Sequence, residues 1–221
     1  MARTWSKDDP KAALMTRKRT IIVQAALRAF LNTGYAESSV NRIAADAGVS
    51  IKTLYRHFHS KDDLFSAVMQ LACSGATEHA SGPVQAASVS ERPWFSQPPS
   101  VALPIAGQEY LQNALSEDQI ALYRVVTRDT HRFPELGLRY RNEVTGQRDA
   151  IFDEYLNRWR PVMRWKVANH RHAASVFASL LKADLFDDAI HGCRTPNQAE
   201  ILARSQESAT IMLTLLEVGC L

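Results

Sequence analysis

The chain has 221 residues, of which 46% are hydrophobic and 22% charged, with a formal net charge of +3. This composition is typical of a globular protein with a packed core and argues against long disorder. No apolar run approaches the roughly 18–20 residues that a membrane-spanning helix needs. Because the first residues are polar and lack the apolar core of a signal peptide, we expect a cytoplasmic protein.

Positive charge is concentrated at the N-terminal end. Residues 1–61 contain eleven Lys and Arg against four acidic residues, a net +7, so the remainder carries −4. A basic end on an acidic body is the asymmetry expected of a protein that presents one end to a polyanion. A solvated basic tail would give the same count, and charge alone does not decide between the two.

The N-terminal pattern predicts a flexible arm over residues 1–15, followed by a long helix from Thr16. Apolar residues recur there at three- and four-residue steps until Gly34, which tolerates the left-handed conformation that closes a helix. A fourth helix is predicted after Ser60, where Asp62 and Asp63 suit the first turn.

The most informative stretch lies between these helices and runs from Ser39 to Lys61. It predicts two short helices, with Ser39 and Ser50 as N-caps and Gly48 as the tight turn between them. Two such helices joined by a glycine turn form the helix-turn-helix unit. The second helix of that unit projects polar side chains into the major groove of DNA.

Residues 81–104 hold five of the nine prolines and predict a long loop, with Trp94 and Phe95 as anchors into the body. Beyond the loop, hydrophobic periodicity predicts further helices. Their approximate bounds are 105–114, 117–131, 135–159, 172–191 and 198–218. The predicted fold is all-α, with about nine helices: a three-helix helix-turn-helix domain over 16–60 and a helical ligand-binding and dimerisation domain over 61–221.

A longer spaced pattern of residues runs from Thr16 to about Met69. It comprises Ile22, Ala25, Ala26, Phe30, Gly34 and Tyr35; Ile43, Ala44, Ala47, Gly48, Val49 and Ser50; and Thr53, Leu54, Tyr55, His57, Phe58, Ser60, Lys61 and Leu64. This pattern resembles the DNA-binding domain of the TetR family of bacterial repressors. Where the family most often has Ser-Lys-Gly-Thr at the start of the recognition helix, this chain has Ser50-Ile51-Lys52-Thr53.

The resemblance implies which side chains contact double-stranded DNA. Those expected to face the major groove are Ile51, Lys52 and Thr53. Those expected to lie along the DNA backbone are Ser39, Arg42, Ser50, Tyr55, His57 and Lys61, with Arg56 able to reach either, and Arg17, Lys18 and Arg19 near flanking phosphates. For Tyr55 and His57, packing at the edge of the domain is the alternative.

The second half carries two shorter matches, Leu122 to Val126 and Arg132 to Leu136, which resemble the C-terminal domain of the AefR-like branch of the family. That resemblance implies an internal pocket for a small molecule. Candidate pocket residues are Tyr110, Tyr123, Arg124, His131, Phe152, Trp159, Phe177 and Phe186; ordinary core packing is the alternative for each of them.

Two terminal segments, 172–191 and 198–218, have more apolar surface than one core needs, and predict a homodimer. Burial of both within one chain is the alternative. The cluster of Asp184, Asp187, Asp188 and His191 is interpreted as a solvated helix face, so neither a metal nor a cofactor is expected. Since the chain has no recognisable catalytic motif, we do not expect an enzyme.

These patterns together predict a DNA-binding transcriptional regulator. The leading hypothesis is a repressor released from a palindromic operator by an apolar or aromatic effector. One alternative is a ligand-independent activator or a nonspecific DNA binder. The other is a helical enzyme or partner-binding module.

Overall fold

A computed structural model describes residues 10–73, 92–165 and 167–221. These residues form ten α-helices and one short π-helical segment, without a strand among them, which confirms the all-α prediction. The helices are α1 (Pro10–Glu37), α2 (Val40–Asp46), α3 (Ile51–His57), α4 (Lys61–Cys73), α5 (Pro99–Ala114), α6 (Glu117–Asp129), α7 (Pro134–Tyr140), α8 (Gly146–Met163), α9 (His170–His191) and α10 (Gln198–Val218); the π segment is Arg141–Thr145.

Residues 134–163 are helical without interruption, so α7, the π segment and α8 together correspond to the single helix predicted at 135–159. Counted in this way, the described residues contain the nine helical segments that were predicted. α1 begins at Pro10, inside the predicted arm. The rest of the predicted arm, residues 1–9, and the predicted loop at 81–91 lie outside the described residues.

The chain divides into two compact units. The N-terminal unit comprises residues 1–85 and 121–143, and the C-terminal unit comprises 86–120 and 144–221. This grouping differs from the predicted boundary between residues 60 and 61, because α4, most of α6 and all of α7 pack with the helix-turn-helix. Two of the three boundaries between the units fall inside helical structure, one within α6 and one within the π segment.

In the N-terminal unit, α1 to α4 pack around fully buried apolar side chains that include Ile22, Leu54 and Phe58. α1 is broken at Gly34, whose φ of 83° and ψ of 176° suit only glycine. The break lies at the predicted residue, but its ψ is not that of the predicted left-handed helix end, and α1 continues to Glu37. Beyond this break the Tyr35 ring meets the Phe65 ring edge to face at 5.2 Å. Aromatic packing therefore fixes the end of α1 against α4.

In the C-terminal unit, α5 and α10 approach closely because small residues line their contact. A Cβ added at Gly107 would lie 2.9 Å from Leu181 Cδ2 and 3.5 Å from Ser205 Cβ. Ser205 is fully buried, and its hydroxyl donates to the Ile201 carbonyl at 2.7 Å. Ser205 of α10 is thus used for packing inside the chain.

The predicted loop at 81–104 is wrong for its last residues. α5 already begins at Pro99, where a proline at the first position loses no hydrogen bond, and Pro104 lies inside the helix. Leu103 is fully buried, so packing offsets the one bond that Pro104 removes. The anchors Trp94 and Phe95 are confirmed, since both are buried and the Trp94 indole donates to Glu109 Oε2 at 2.6 Å.

Candidate nucleic-acid interface

α2 and α3 are joined by a turn at Gly48, which has a φ of 65° and no atoms close to where a Cβ would lie. Ser50 caps α3: its Oγ accepts a hydrogen bond from the Thr53 N–H at 3.1 Å. Leu54 anchors α3 in the core with no exposed surface. Local backbone chemistry therefore fixes both the start and the orientation of α3.

The opposite face of α3 points to solvent. Ile51 and Tyr55 are 37% and 48% exposed, and Lys52 and Arg56 are exposed as well. Thr53 is half-buried and shares a hydrogen bond with Ser50 at 2.9 Å between their hydroxyl oxygens. This face presents an apolar, a cationic and an aromatic side chain without desolvating any of them, as a groove-reading helix must.

The residues expected to contact the DNA backbone differ in their exposure and in the hydrogen bonds that they form. Arg42 is exposed on α2. Ser39 occupies the N-cap position of α2, but its side chain forms no capping hydrogen bond. The neighbouring Ser38 is buried and donates instead to the Tyr35 carbonyl at 2.8 Å. The exposed Ser39 hydroxyl therefore does not cap α2, although Ser39 occupies the predicted N-cap position.

Lys61 is directed into the protein. Its ammonium donates to the Ala36 carbonyl at 3.3 Å and lies 4.6 Å from the centre of the Tyr35 ring. Partial burial lowers the pKa of Lys61, while three nearby carboxylates act in the opposite direction. A phosphate contact, as the sequence suggests, requires this side chain to leave the carbonyl.

His57 closes α3 and is held by α1. The Arg19 guanidinium donates to the His57 carbonyl at 3.2 Å and lies 4.3 Å from the centre of the Phe58 ring. Burial lowers the pKa of His57, and the positive charges of Arg56, Arg19 and Lys18 lower it further. The Arg19 contact was not recognisable from the sequence, because it joins residues that are distant along the chain.

A second polar centre lies at the end of α1. Asp129, the last residue of α6, is 5% exposed and accepts hydrogen bonds from the N–H groups of Tyr35 at 2.6 Å and Ala36 at 3.3 Å. Arg128 pairs with it at 3.0 Å. Burial alone would raise the pKa of Asp129, but these hydrogen bonds outweigh burial and hold the pKa below its ordinary value.

Two further contacts attach α7, and Phe133 just before it, to α4 and α1. The Arg139 guanidinium donates to the Ser66 hydroxyl on α4 at 2.7 Å. The Phe133 ring meets the Tyr35 ring at 5.1 Å between centres. We call Asp129, Arg139 and Phe133 the α6–α7 latch. No local sequence motif marks these residues, because each acts on a partner far away in the chain.

The eight candidate pocket residues do not come together in one unit. Tyr123, Arg124 and His131 belong to the N-terminal unit, and the other five belong to the C-terminal unit. Arg124 and His131 are exposed, so their predicted inward orientation is wrong. In the C-terminal unit Phe152 and Phe177 are buried and stack at 5.3 Å between ring centres, with Trp159, Tyr110 and Phe186 half-buried.

The acidic cluster on α9 forms ordinary ion pairs. Asp184 pairs with Arg204, and Asp188 pairs with Arg194 at 2.7 Å. Within the described ranges, no three His, Cys, Asp or Glu side chains are grouped as metal ligands require. In that same part of the chain, none of the helices combines the length and apolar character needed to cross a membrane.

α3 is capped at its start, anchored in the core of the N-terminal unit and exposed on its opposite face. These features define a helix-turn-helix DNA-binding regulator. The family model for bacterial regulatory proteins of the tetR family matches residues 22–68. The model for the C-terminal domain of AefR-like transcriptional repressors matches residues 102–215. The chain therefore belongs to the TetR family of bacterial transcriptional regulators, as the sequence predicts.

Individual proteins agree with this assignment. The HTH-type transcriptional regulator AcrR of Shigella flexneri is 40% identical over 60 residues, which span 27% of this chain and 28% of AcrR. A TetR-family regulator from Mesorhizobium loti has a TM-score of 0.72 at 22% identity, covering 91% of this chain and 97% of its own. The flavonoid-responsive regulator FrrA has a TM-score of 0.67 at 25% identity, covering 90% and 96%. The fold is thus shared along nearly the whole chain.

Proposed function

We propose that this regulator is a homodimeric repressor that a small-molecule effector releases from a palindromic operator. The exposed face of α3 is the observation that carries the DNA-binding part. Lys52 offers a charged donor for a base edge or phosphate, and Ile51 offers a methyl-bearing surface for a thymine methyl. Ser39, Arg42, Tyr55, Arg56 and His57 surround this face, and the basic charge of residues 1–61 favours approach to DNA.

Dimerisation would place two α3 helices on one operator. A groove of about 600 Å³ follows α9 and α10, lined by Val176, Leu180 and Ile211 together with small serines. Phe177 and Leu181, by contrast, are buried inside the chain. The apolar face predicted at 172–191 and 198–218 is therefore divided between the core and this groove, and we propose a second copy as the occupant.

Release requires that the C-terminal unit influences the N-terminal unit. Boundaries between the two units fall within α6 and within the π segment. In the α6–α7 latch, Asp129 at the end of α6 contacts α1, and Arg139 of α7 contacts α4. An effector that shifts α6 or α7 would act on α1 and α4 through Asp129 and Arg139. A preference of about 1.4 kcal/mol for the shifted state would weaken DNA binding about tenfold.

The effector is proposed to be a small aromatic molecule. The aromatic side chains of the C-terminal unit support this, and the similar regulator FrrA is described as flavonoid-responsive. We propose neither a cofactor nor a catalytic role for this chain. Because its target is bacterial DNA, we expect it to act in the cytoplasm.

Selection of the purified protein against random duplex DNA at near-physiological salt tests this proposal. Enrichment of an inverted repeat is expected, because a two-fold symmetric dimer reads two half-sites about one helical turn apart. Light scattering on the same preparation should give the mass of two chains. Weak, salt-sensitive binding without an enriched sequence would contradict the proposal and favour a nonspecific DNA binder.

A further inference from the structure

The first turns of α1 contact the last turn of α3. The end of the predicted flexible arm is helical, so Met15 lies one turn before Arg19 on the same face of α1. The Arg19 guanidinium donates to the His57 carbonyl at 3.2 Å, and the Arg56 guanidinium donates to Met15 Sδ at 3.5 Å. Two successive residues at the end of α3 are therefore in contact with one face of α1.

The two ends of α3 are stabilised differently. Its start is capped locally by Ser50. At its end Phe58 has an extended backbone, with φ of −138° and ψ of 122°, instead of the left-handed conformation that commonly closes a helix. The last carbonyls of a helix have no partner within it, so Arg19 supplies a donor that α3 itself does not provide. The positive charge of Arg19 also suits the negative end of the helix dipole.

Arg19 is itself oriented by the core. Its guanidinium carbon lies 4.3 Å from the centre of the Phe58 ring, and Phe58 is only 1% exposed. A planar guanidinium can lie over a ring while its edge donates to a carbonyl, whereas a lysine ammonium is a compact charge without that geometry. Arg19 therefore joins the last carbonyl of α3 to a ring that is fixed in the core.

The contact at Met15 concerns a side chain on the DNA-facing surface of α3. Lys52 and Arg56 are both exposed and lie one turn apart on the same face of that helix. A free arginine side chain loses rotamer freedom when it binds, and a contact that orients it beforehand reduces this cost. Because a thioether is a weak acceptor, Met15 can direct Arg56 without competing with an acceptor on DNA.

We propose that Arg19 and Met15 are positioning residues for the recognition helix: Arg19 fixes the end of α3, and Met15 directs Arg56 toward DNA. This role differs from the phosphate contact that the family resemblance implies for Arg19. The inference rests on the proposed reading of DNA by α3. Base reading requires exact placement of the helix, whereas nonspecific binding is electrostatic and does not. Loss of either residue should therefore lower affinity for the operator more than affinity for nonspecific DNA.

The ratio of operator affinity to nonspecific affinity tests the role of Arg19. Both affinities are measured on the full chain at one salt concentration, with the selected operator and a scrambled duplex of the same length. We expect Arg19→Met to lower this ratio about tenfold and Arg19→Lys to lower it less. Arg17→Met, which removes an exposed cation from the same helix, is the matched control and should leave the ratio unchanged.

A phosphate contact and a purely structural role give a different result from a positioning role. Loss of a phosphate contact weakens binding to all sequences about equally, and a smaller folded fraction lowers both affinities by the same factor. An unchanged ratio in Arg19→Met would therefore overturn the proposal. An equal decrease of the ratio in Arg17→Met would overturn it too, because the effect would then come from charge rather than from the contacts of Arg19.

A double-mutant cycle tests whether Met15 acts through Arg56. We expect Met15→Ala to lower the ratio about threefold in the wild-type background and to have no further effect in Arg56→Ala. Leu14→Ala, which truncates the exposed neighbouring side chain, is the control and should leave the ratio unchanged. An equal decrease with and without Arg56 would overturn the role assigned to Met15.

The wild-type protein distinguishes this inference from the function on which it rests. If the wild-type protein prefers no DNA sequence, the proposed function is contradicted and this inference with it. If the wild-type protein is sequence-specific and Arg19→Met keeps the same ratio, only the positioning role is contradicted.

Discussion

Two groups of polar side chains in the N-terminal unit differ in their exposure and in their hydrogen bonding. On α3, Lys52 and Tyr55 are exposed and form no hydrogen bond within the described part of the chain. At the α6–α7 latch, Asp129 is buried and satisfied by Tyr35, Ala36 and Arg128. Polar groups meant for a partner stay in water, whereas buried ones are paired inside the chain because an unpaired buried group is costly. Substitutions should therefore separate DNA affinity from stability.

Asp129→Ala should have the largest effect. Removing the carboxylate leaves the N–H groups of Tyr35 and Ala36 without an acceptor, so we expect the free energy of unfolding to fall by about 3 kcal/mol. Urea denaturation measures this loss. Asp129→Asn keeps an acceptor oxygen and should lose less. Because the pKa of Asp129 is held below its ordinary value, its charge contributes stability above pH of about 4, and this contribution is lost at lower pH. Equal losses in both variants would contradict the assigned hydrogen bonds.

Gly34→Ala should come next. The φ of 83° and ψ of 176° at Gly34 are unfavourable for any residue with a Cβ, and we expect a loss of about 2 kcal/mol in the same denaturation experiment. Gly48→Ala is the comparison, since its φ of 65° is an ordinary left-handed value with open space around it. That variant should lose only about 1 kcal/mol. If Gly48→Ala lost more stability than Gly34→Ala, the backbone constraint would lie in the turn between α2 and α3 rather than at the break in α1.

Ser50→Ala should lower both the stability of the N-terminal unit and its affinity for the operator. Loss of the cap on α3 should cost about 1 kcal/mol of stability and weaken operator binding, because the start of the recognition helix frays. Ser39→Ala removes a hydroxyl from an N-cap position that makes no side-chain capping bond. Melting temperatures of the two variants give the comparison. A larger decrease in Ser39→Ala would show that the cap is assigned to the wrong serine.

The smallest effect concerns pH. Because the pKa of His57 is lowered in the folded protein, the unfolded chain binds its proton more readily. Stability should therefore fall as the pH drops through the ordinary histidine range, near about 6.5, and be regained above it. In His57→Gln this pH dependence should be reduced when melting temperature is followed against pH. His59→Gln changes an exposed histidine and should leave the dependence intact; a reduction there instead would assign it to the wrong residue.

The sequence predicted those features that depend on neighbours along the chain. The break at Gly34, the cap at Ser50 and the periodic burial of Leu54 follow from local backbone chemistry and helix spacing. The latch did not, because its partners meet only after folding. Periodicity also failed locally: α5 extends through Pro104, and α9 is interrupted at Ala183, whose φ is 30°.

The central claim is that the exposed face of α3 reads DNA without supporting the fold. The most direct test is the operator affinity of Lys52→Ala, using the sequence obtained by selection, beside Arg28→Ala as the matched control. Arg28 is an exposed cation on α1. We expect Lys52→Ala to weaken operator binding about tenfold with an unchanged melting temperature, and Arg28→Ala to leave binding nearly unchanged. Equal affinities in the two variants, or a lowered melting temperature in Lys52→Ala, would contradict the account.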